Sequence, residues 1–254
     1  MNGLLLAIQF FTVLPIKKEL PIGRKEVTAM FIALPFVGAA IGAVMYAVSL
    51  LMIDVIGTGT LLTAVFIVLT GIILTGGLHL DGWADTGDAF FSYQDREKRL
   101  EILEDPRLGA FGTMALVLLI IVKVALFHEI LAQDLGHIAL FIALPLLARV
   151  GMNLYLSTIK SAKNKGLAYF FKEKIGTGSV NLLSMVIGGA VLVGLGYVVG
   201  NAVLPLLLFA VIAVGLILFR NWSLKHFGGV TGDLLGTFIE GMEALLWIVV
   251  LVSL

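Results

Sequence analysis

The chain of 254 residues contains no cysteine. Disulfides and thiol chemistry are therefore excluded, and a metal site would have to use oxygen or imidazole ligands. Charge is scarce too: charged residues make up 13% of the chain, against about 25% in a soluble domain. The two signs cancel to a net charge of zero, so bulk attraction to nucleic acid is not supported. Short segments of alternating hydrophobicity, the mark of a transmembrane β-barrel, are missing. No internal repeat or low-complexity tract is evident, and residues 1–254 read as one domain.

What is abundant is apolar: 59% of residues are hydrophobic and the mean hydropathy is +1.07. A bilayer-spanning helix needs about 20 predominantly apolar residues. Val27–Ile53 and Ile175–Phe219 carry no charge, and the latter is long enough for two spans turning at Gly200-Asn201 and Pro205. Thr60–Leu80 contains only His79, Leu108–Phe127 only Lys123, and Ile138–Ile159 only Arg149. Leu234–Leu254 carries Glu240 and Glu243 near its start. The expected fold is all-α, a polytopic transmembrane bundle of about seven spans. Gly3–Val13 is too short to span, has no basic n-region, and reads as an interfacial or re-entrant half-helix ending at Pro15.

Fifteen of the seventeen Lys and Arg residues fall in Lys17–Glu26, Asp81–Arg107, Lys160–Lys174 and Arg220–Asp233. The intervening loops near Gly57, Asp134 and Gly200 have none. The positive-inside rule places the basic loops in the cytoplasm, with the N-terminus inside and the C-terminus outside. The expected location is the plasma (inner) membrane, with the active site facing the cytoplasm.

The richest polar segment runs from Gly76 to Asp88. On a helix, Asp81, Asp85 and Asp88 recur at i, i+4 and i+7 and share one face. Clustered carboxylates repel unless a cation lies between them, and Mg²⁺ typically bridges such oxygens to substrate phosphates. The plainer reading is a solvated acidic patch. His79 falls on the opposite side of that helix and reads as structural when taken alone. Arg96–Glu104 reads as a short amphipathic surface helix acting as a lid or anchor, with Leu100 and Leu103 on its apolar side.

Arg107, with Gly109 and Gly112 after it, could hold phosphate oxygens or serve as a snorkelling cation at a span entrance. Gly228, Gly229, Thr231 and Gly232 open the last span, where free backbone N–H groups suit an anion. Asp233 and Glu240 lie seven apart and share a helix face. Ionisable groups inside a span, here Glu240, Glu243, Lys123 and Arg149, are functional by default; the competing reading is that they pair with one another to hold the bundle.

Taken together these segments resemble the cobalamin synthase family, the adenosylcobinamide-GDP ribazoletransferases. The family signature G-G-x-H-L-D-G-x-A-D-T-x-D stands here as Gly76 to Asp88. D-S-R-x-G-x-x-G stands as Asp105 to Gly112, and G-G-x-T-G-D-x-L-G as Gly228 to Gly236, with Glu240 following. Weaker matches are Phe11 to Pro15, Pro35 with Gly38 and Gly42, Lys123 and Arg149. Val13, Pro106, Ala89 and Ser161-Ala162-Lys163 depart from the pattern.

The resemblance implies transfer of the adenosylcobinamide-phosphate moiety of adenosylcobinamide-GDP to α-ribazole or its 5′-phosphate. GMP leaves, and adenosylcobalamin or its 5′-phosphate forms, a late step of cobalamin biosynthesis. It implies Mg²⁺ on Asp81, Asp85 and Asp88, and catalytic roles for Asp88, Glu240 and Asp233. The substrate-binding set it implies is His79, Arg107, Gly109, Gly112, Lys123, Arg149, Gly228, Gly229, Thr231 and Gly232. The expected partners are the two substrates and the lipid bilayer, with no nucleic acid; a homo-oligomer is left open. The alternatives are a CDP-alcohol phosphotransferase of phospholipid synthesis, against which Asp85 stands where that pattern has Arg, and a cation transporter, against which no repeat is visible.

Overall fold

The structure is a computed structural model that describes residues 2–254. It contains eleven α-helices: α1 Asn2–Phe11, α2 Arg24–Leu50, α3 Thr60–Thr75, α4 Leu78–Ser92, α5 Arg96–Ile102, α6 Ala110–Ala132, α7 Ile138–Thr158, α8 Leu167–Lys174, α9 Thr177–Val199, α10 Val203–His226 and α11 Gly232–Ser253. A π-helical turn, Leu51–Ile56, extends α2 to a left-handed Gly57. Among the described residues there is no strand, only an isolated parallel bridge between Ser161 and Val230.

Six helices, α2, α6, α7, α9, α10 and α11, are long and apolar enough to cross a membrane, and the bent pair α3–α4 makes a seventh passage. The bend corrects one detail of the sequence reading, which ran the second span unbroken to Leu80. Gly76 and Gly77 both take left-handed backbone (φ +64° and +73°). Their N–H groups cap the Ile73 and Ile72 carbonyls, and the chain turns by 94° into α4. Two consecutive glycines allow this because L side chains pay for positive φ. The loop after α1 braces the bend: Val13 donates its N–H to the Leu74 carbonyl (2.9 Å).

Helix α7 is the hub, packed on α2, α9, α10 and α11. Its contact with α2 is close because Gly38 and Gly42 lie one turn apart. A Cβ at Gly42 would come 1.8 Å from the Phe141 carbonyl oxygen, and one at Gly38 2.3 Å from Arg149 Cδ. Small residues at such spacing let membrane helices approach backbone to backbone, where apolar burial cannot discriminate between lipid and protein. Polar side chains bind the hub further. Asn153 donates to the Phe31 carbonyl of α2 (2.8 Å) and to Ser184 of α9 (3.1 Å), and Tyr155 donates to Ser223 of α10 (2.8 Å). The α9–α10 hairpin is peripheral and largely exposed at its outer face.

All four basic segments meet at one end of the bundle. Lys174 donates to the Ile22 carbonyl (2.9 Å), Arg96 to the Phe227 carbonyl (3.1 Å), and the 160–162 segment pairs with Val230. The charge pattern of the sequence thus corresponds to a real polar face.

The α2–α7 contact is checked by a pair of substitutions. Gly42→Ala forces a Cβ into the α7 backbone and is expected to destabilise by about 1–3 kcal/mol. Gly189→Ala, on α9 with open space around it, is expected to be neutral or stabilising by up to about 1 kcal/mol. Thermal loss of monodisperse protein in detergent measures both.

Candidate active site

The site is assembled where α4 crosses the starts of α6 and α11. Both crossings are lined by glycine. A Cβ at Gly82 would lie 2.6 Å from the Asp233 carbonyl, and one at Gly236 2.9 Å from the His79 carbonyl, so α4 and α11 touch through their backbones. Thr237 donates to the Gly82 carbonyl (2.9 Å) and lies 2.8 Å from the Thr86 hydroxyl. On the other flank a Cβ at Gly112 would come 2.8 Å from the Ala84 carbonyl, and Trp83 Nε1 donates to the Ala115 carbonyl (3.0 Å). The glycines of the three motifs therefore act first by permitting close packing.

This packing sorts the three α4 carboxylates. Asp81 is exposed and Asp85 half-buried. Asp88 is buried and turned into the start of α6: its Oδ1 accepts the Gly112 N–H (3.2 Å), and a Cβ at Gly109 would collide with it. An acid at a helix N-terminus satisfies free N–H groups and meets the positive end of the dipole. Asp88 is thus engaged by the second motif and does not simply join the other two. Asp233, in the first turn of α11, also lies within electrostatic reach of this group. The charges of Asp81, Asp233 and Asp88 all act on Asp85.

The glycine turn before α11 is pinned from two sides. Gly228 takes φ +79° under the Arg96 guanidinium, which a Cβ there would strike. Gly229 packs against the Lys160 carbonyl, where a Cβ would lie 2.3 Å away. Both glycines are buried. Thr231 caps α11 by accepting the Leu234 N–H (3.3 Å), and Gly232 faces open space. Arg107 is exposed and forms a two-pronged pair with its neighbour Asp105 (2.9 and 2.7 Å).

Deeper in the bundle lies a separate group. Lys123 pairs with Glu240 and reaches Glu243 at 3.6 Å, while Arg149 pairs with Glu243 and donates to the Pro145 carbonyl (2.9 Å). His79 is buried beside them, and neither ring nitrogen has a partner among the described residues. A cavity of only about 30 Å³ remains between these groups. Two cations and two carboxylates neutralise one another there. Glu240 is therefore placed in a buried ion-pair network with Lys123, Arg149 and Glu243, and not among the carboxylates at the basic face.

Sequence reasoning missed Lys163, Lys165 and Glu104. They line a cavity of about 350 Å³ with Thr231, Gly232 and Asp233. The Lys163 charge acts on Asp233, which links this basic cavity to the carboxylates. In sequence Lys163 is one of five lysines between Lys160 and Lys174, with nothing to single it out as a site residue.

Could the carboxylates hold a divalent cation? Donor chemistry and charge fit: Asp81, Asp85 and Asp233 present hard oxygens whose mutual repulsion a cation would relieve. Among the described residues no three acidic or imidazole side chains converge on a single ion-sized point, so the fit is one of charge and donor type.

The buried network makes its own prediction. Glu240→Gln leaves Lys123 without its nearest counter-charge and should cost about 3–5 kcal/mol of stability, whereas the double change Lys123→Met with Glu240→Met should recover much of it. Melting of the two variants in the same detergent tests this; a Glu240→Gln protein as stable as wild type would refute the pairing.

Comparison with known proteins gives a consistent picture. The family model described as cobalamin-5-phosphate synthase matches residues 3–251. A Geobacillus thermodenitrificans protein named adenosylcobinamide-GDP ribazoletransferase is 39% identical over 253 residues, covering 98% of this chain and 95% of its own length. Proteins of the same name from Klebsiella pneumoniae and Clostridioides difficile are 36% and 32% identical; they cover 94% and 96% of this chain, and 95% and 94% of their own lengths. No solved structure matches the chain. With a family model spanning nearly every residue and relatives aligned end to end, the chain belongs to the cobalamin-5-phosphate synthase family.

Proposed function

We propose that the protein is an adenosylcobinamide-GDP ribazoletransferase, joining the adenosylcobinamide-phosphate moiety of adenosylcobinamide-GDP to α-ribazole or its 5′-phosphate with release of GMP. The observation that carries this reading is the pairing of opposite charges at one face: Asp81, Asp85 and Asp233 on one side, Lys163 and Lys165 on the other. Diphosphate chemistry needs both, cations to offset the phosphate charge and carboxylates to hold a metal and take up a proton.

In the reaction the ribazole hydroxyl oxygen bonds to the cobinamide-side phosphorus. The bond from that phosphorus to the bridging oxygen of GMP breaks, and the hydroxyl proton passes to a carboxylate of this set. The chain supplies positioning and electrostatics, which dominate catalysis of phosphoryl transfer. Lys163 and Lys165 bind phosphate oxygens. The Thr231–Asp233 turn offers backbone N–H groups at a helix start. Asp88, by capping α6, holds α4 so that Asp81 and Asp85 face Asp233. The ion-pair network of Lys123, Arg149, Glu240 and Glu243 keeps the helices beneath this surface in register. Asp81, Asp85 and Asp233 would hold Mg²⁺, which when bound supplies charge neutralisation at the diphosphate. Neither a CDP-alcohol phosphotransferase nor a transporter is favoured by the family to which the chain belongs.

The basic face is proposed to be cytoplasmic, on the strength of its Lys and Arg excess. Single cysteines at Ser92, Ser161 or Thr231 should be protected from an impermeant thiol reagent in intact cells, and those at Gly57 or Gly136 labelled. The reverse pattern would overturn the orientation.

Purified protein given both substrates should release GMP. Asp81→Asn, Asp85→Asn and Asp233→Asn should each lower turnover by at least about 10²-fold, the usual worth of a charged group that stabilises a transition state. Mg²⁺ should raise the melting temperature more at pH 8 than at pH 5.5, because protons compete with the metal for the same carboxylate oxygens. Equal stabilisation at both pH values, or full activity in the three variants, would remove these residues from the metal site.

A further inference from the structure

The cavity of about 350 Å³ between the α5–α6 connection, the 163–168 segment and the start of α11 holds an arrangement that the proposed reaction does not by itself require. One carboxylate, Glu104, bridges two ammonium groups. Lys163 Nζ lies 2.7 Å from Glu104 Oε1 and Lys165 Nζ 3.0 Å from Oε2. Lys163 is further fixed by donating to the Leu100 carbonyl at the end of α5 (2.6 Å), and its side chain is only 17% exposed. Across the cavity stand Asp233 and the open first turn of α11 at Gly232. Glu104 itself is exposed and lies on a connection without helix, between Leu103 and Gly109.

We propose that Glu104 stands in for substrate: in the free protein it occupies the place that the diphosphate of the nucleotide-linked substrate takes when it binds. The inference rests on the transferase reading and adds to it a named phosphate cradle, Lys163 and Lys165, and a built-in competitor for it. Three physical points support the exchange. A carboxylate and a phosphate present the same kind of acceptor oxygens to ammonium donors. The diphosphate brings more negative charge than a single Glu, so two lysines favour it. Glu104 itself is exposed and lies on a connection outside any helix, and its pair with the exposed Lys165 contributes little stability, so it is free to leave the cavity. Lys163, held by a main-chain carbonyl as well, stays in place when Glu104 leaves. Because Asp233 lines the same cavity, a diphosphate bound there lies next to one of the carboxylates proposed to hold Mg²⁺.

The test uses the full-length protein in detergent, with steady-state kinetics for both substrates and equilibrium dialysis of GDP as the binding probe. Lys163→Ala should raise the KM for adenosylcobinamide-GDP and the Kd for GDP about 10- to 100-fold, the worth of a charge-assisted hydrogen bond, and leave the KM for α-ribazole unchanged. Lys163→Arg should restore most of the affinity. Lys165→Ala, at an exposed position that the fold does not need, should weaken GDP binding in the same direction and decides the matter if Lys163→Ala fails to fold. Glu104→Gln should tighten GDP binding by about two- to fivefold. Lys18→Ala, far from the cavity, controls for loss of a positive charge. Weaker GDP binding in Glu104→Gln, or GDP binding indifferent to both lysines, would overturn the cradle. A wild-type protein that binds GDP through these lysines yet releases no GMP would sink the transferase reading and leave the cradle standing. GMP release with lysine-independent KM would do the reverse.

Discussion

The architecture depends on the 94° turn at Gly76–Gly77. A membrane helix that continued straight would carry Asp81, Asp85 and Asp88 away from the other elements of the basic face. Turned, α4 lies across the ends of α6 and α11, and its acidic residues are set at the polar surface. The turn needs two successive left-handed residues, which only glycine supplies cheaply. The crossings that follow need glycine again: at Gly82 and Gly236 the facing atoms are main-chain carbonyls or Cα atoms within about 3.1 Å of an added Cβ, and at Gly112 the Ala84 carbonyl lies 2.8 Å from it. The glycine content of the motifs is thus a packing requirement first. The close fit then fixes carboxylate positions through rigid backbone instead of flexible side chains.

Below that surface the bundle holds charges largely withdrawn from solvent. Removing an ion from water is expensive, and the cost is met only when each charge has a partner and further hydrogen bonds. Lys123, Arg149, Glu240 and Glu243 meet the condition as a neutral set. Gly38 on α2 provides the space for the Arg149 side chain, so the α2–α7 contact and the charge network depend on each other. Two layers result: a largely buried, neutral network that ties α6, α7 and α11 together, and an open polar face of unbalanced local charge above it. The proposed chemistry on a diphosphate belongs to the second, where acids crowd around Asp85 and lysines line the adjoining cavity.

Much of this was legible in the sequence, and for definite reasons. Hydrocarbon admits only helices of about 20 apolar residues, so the spans stand out from composition alone. Clustering of Lys and Arg in alternate loops marked the face on which polar residues gather, and Lys174–Ile22, Arg96–Phe227 and Ser161–Val230 contacts join those loops in space. The motifs carried the family. Helical spacing, however, put Asp81, Asp85 and Asp88 on one face without telling that the α6 N-terminus would claim Asp88. The reason is that a cap depends on what packs alongside, which periodicity does not encode.

What the sequence alone determined is the all-helical membrane bundle, its polar face and its membership of the cobalamin-5-phosphate synthase family. All three follow from local composition and local motifs, which need no knowledge of distant contacts. The tertiary structure decided which charge answers which. Lys123 and Glu240 are 117 residues apart, Arg149 and Glu243 94, and Lys163 and Glu104 59. A lysine in a loop of lysines and a glutamate in a span have no partner written beside them. Their roles, buried counter-ion in one case and proposed phosphate cradle in the other, arise only when packing sets the distance, the burial and hence the dielectric between them.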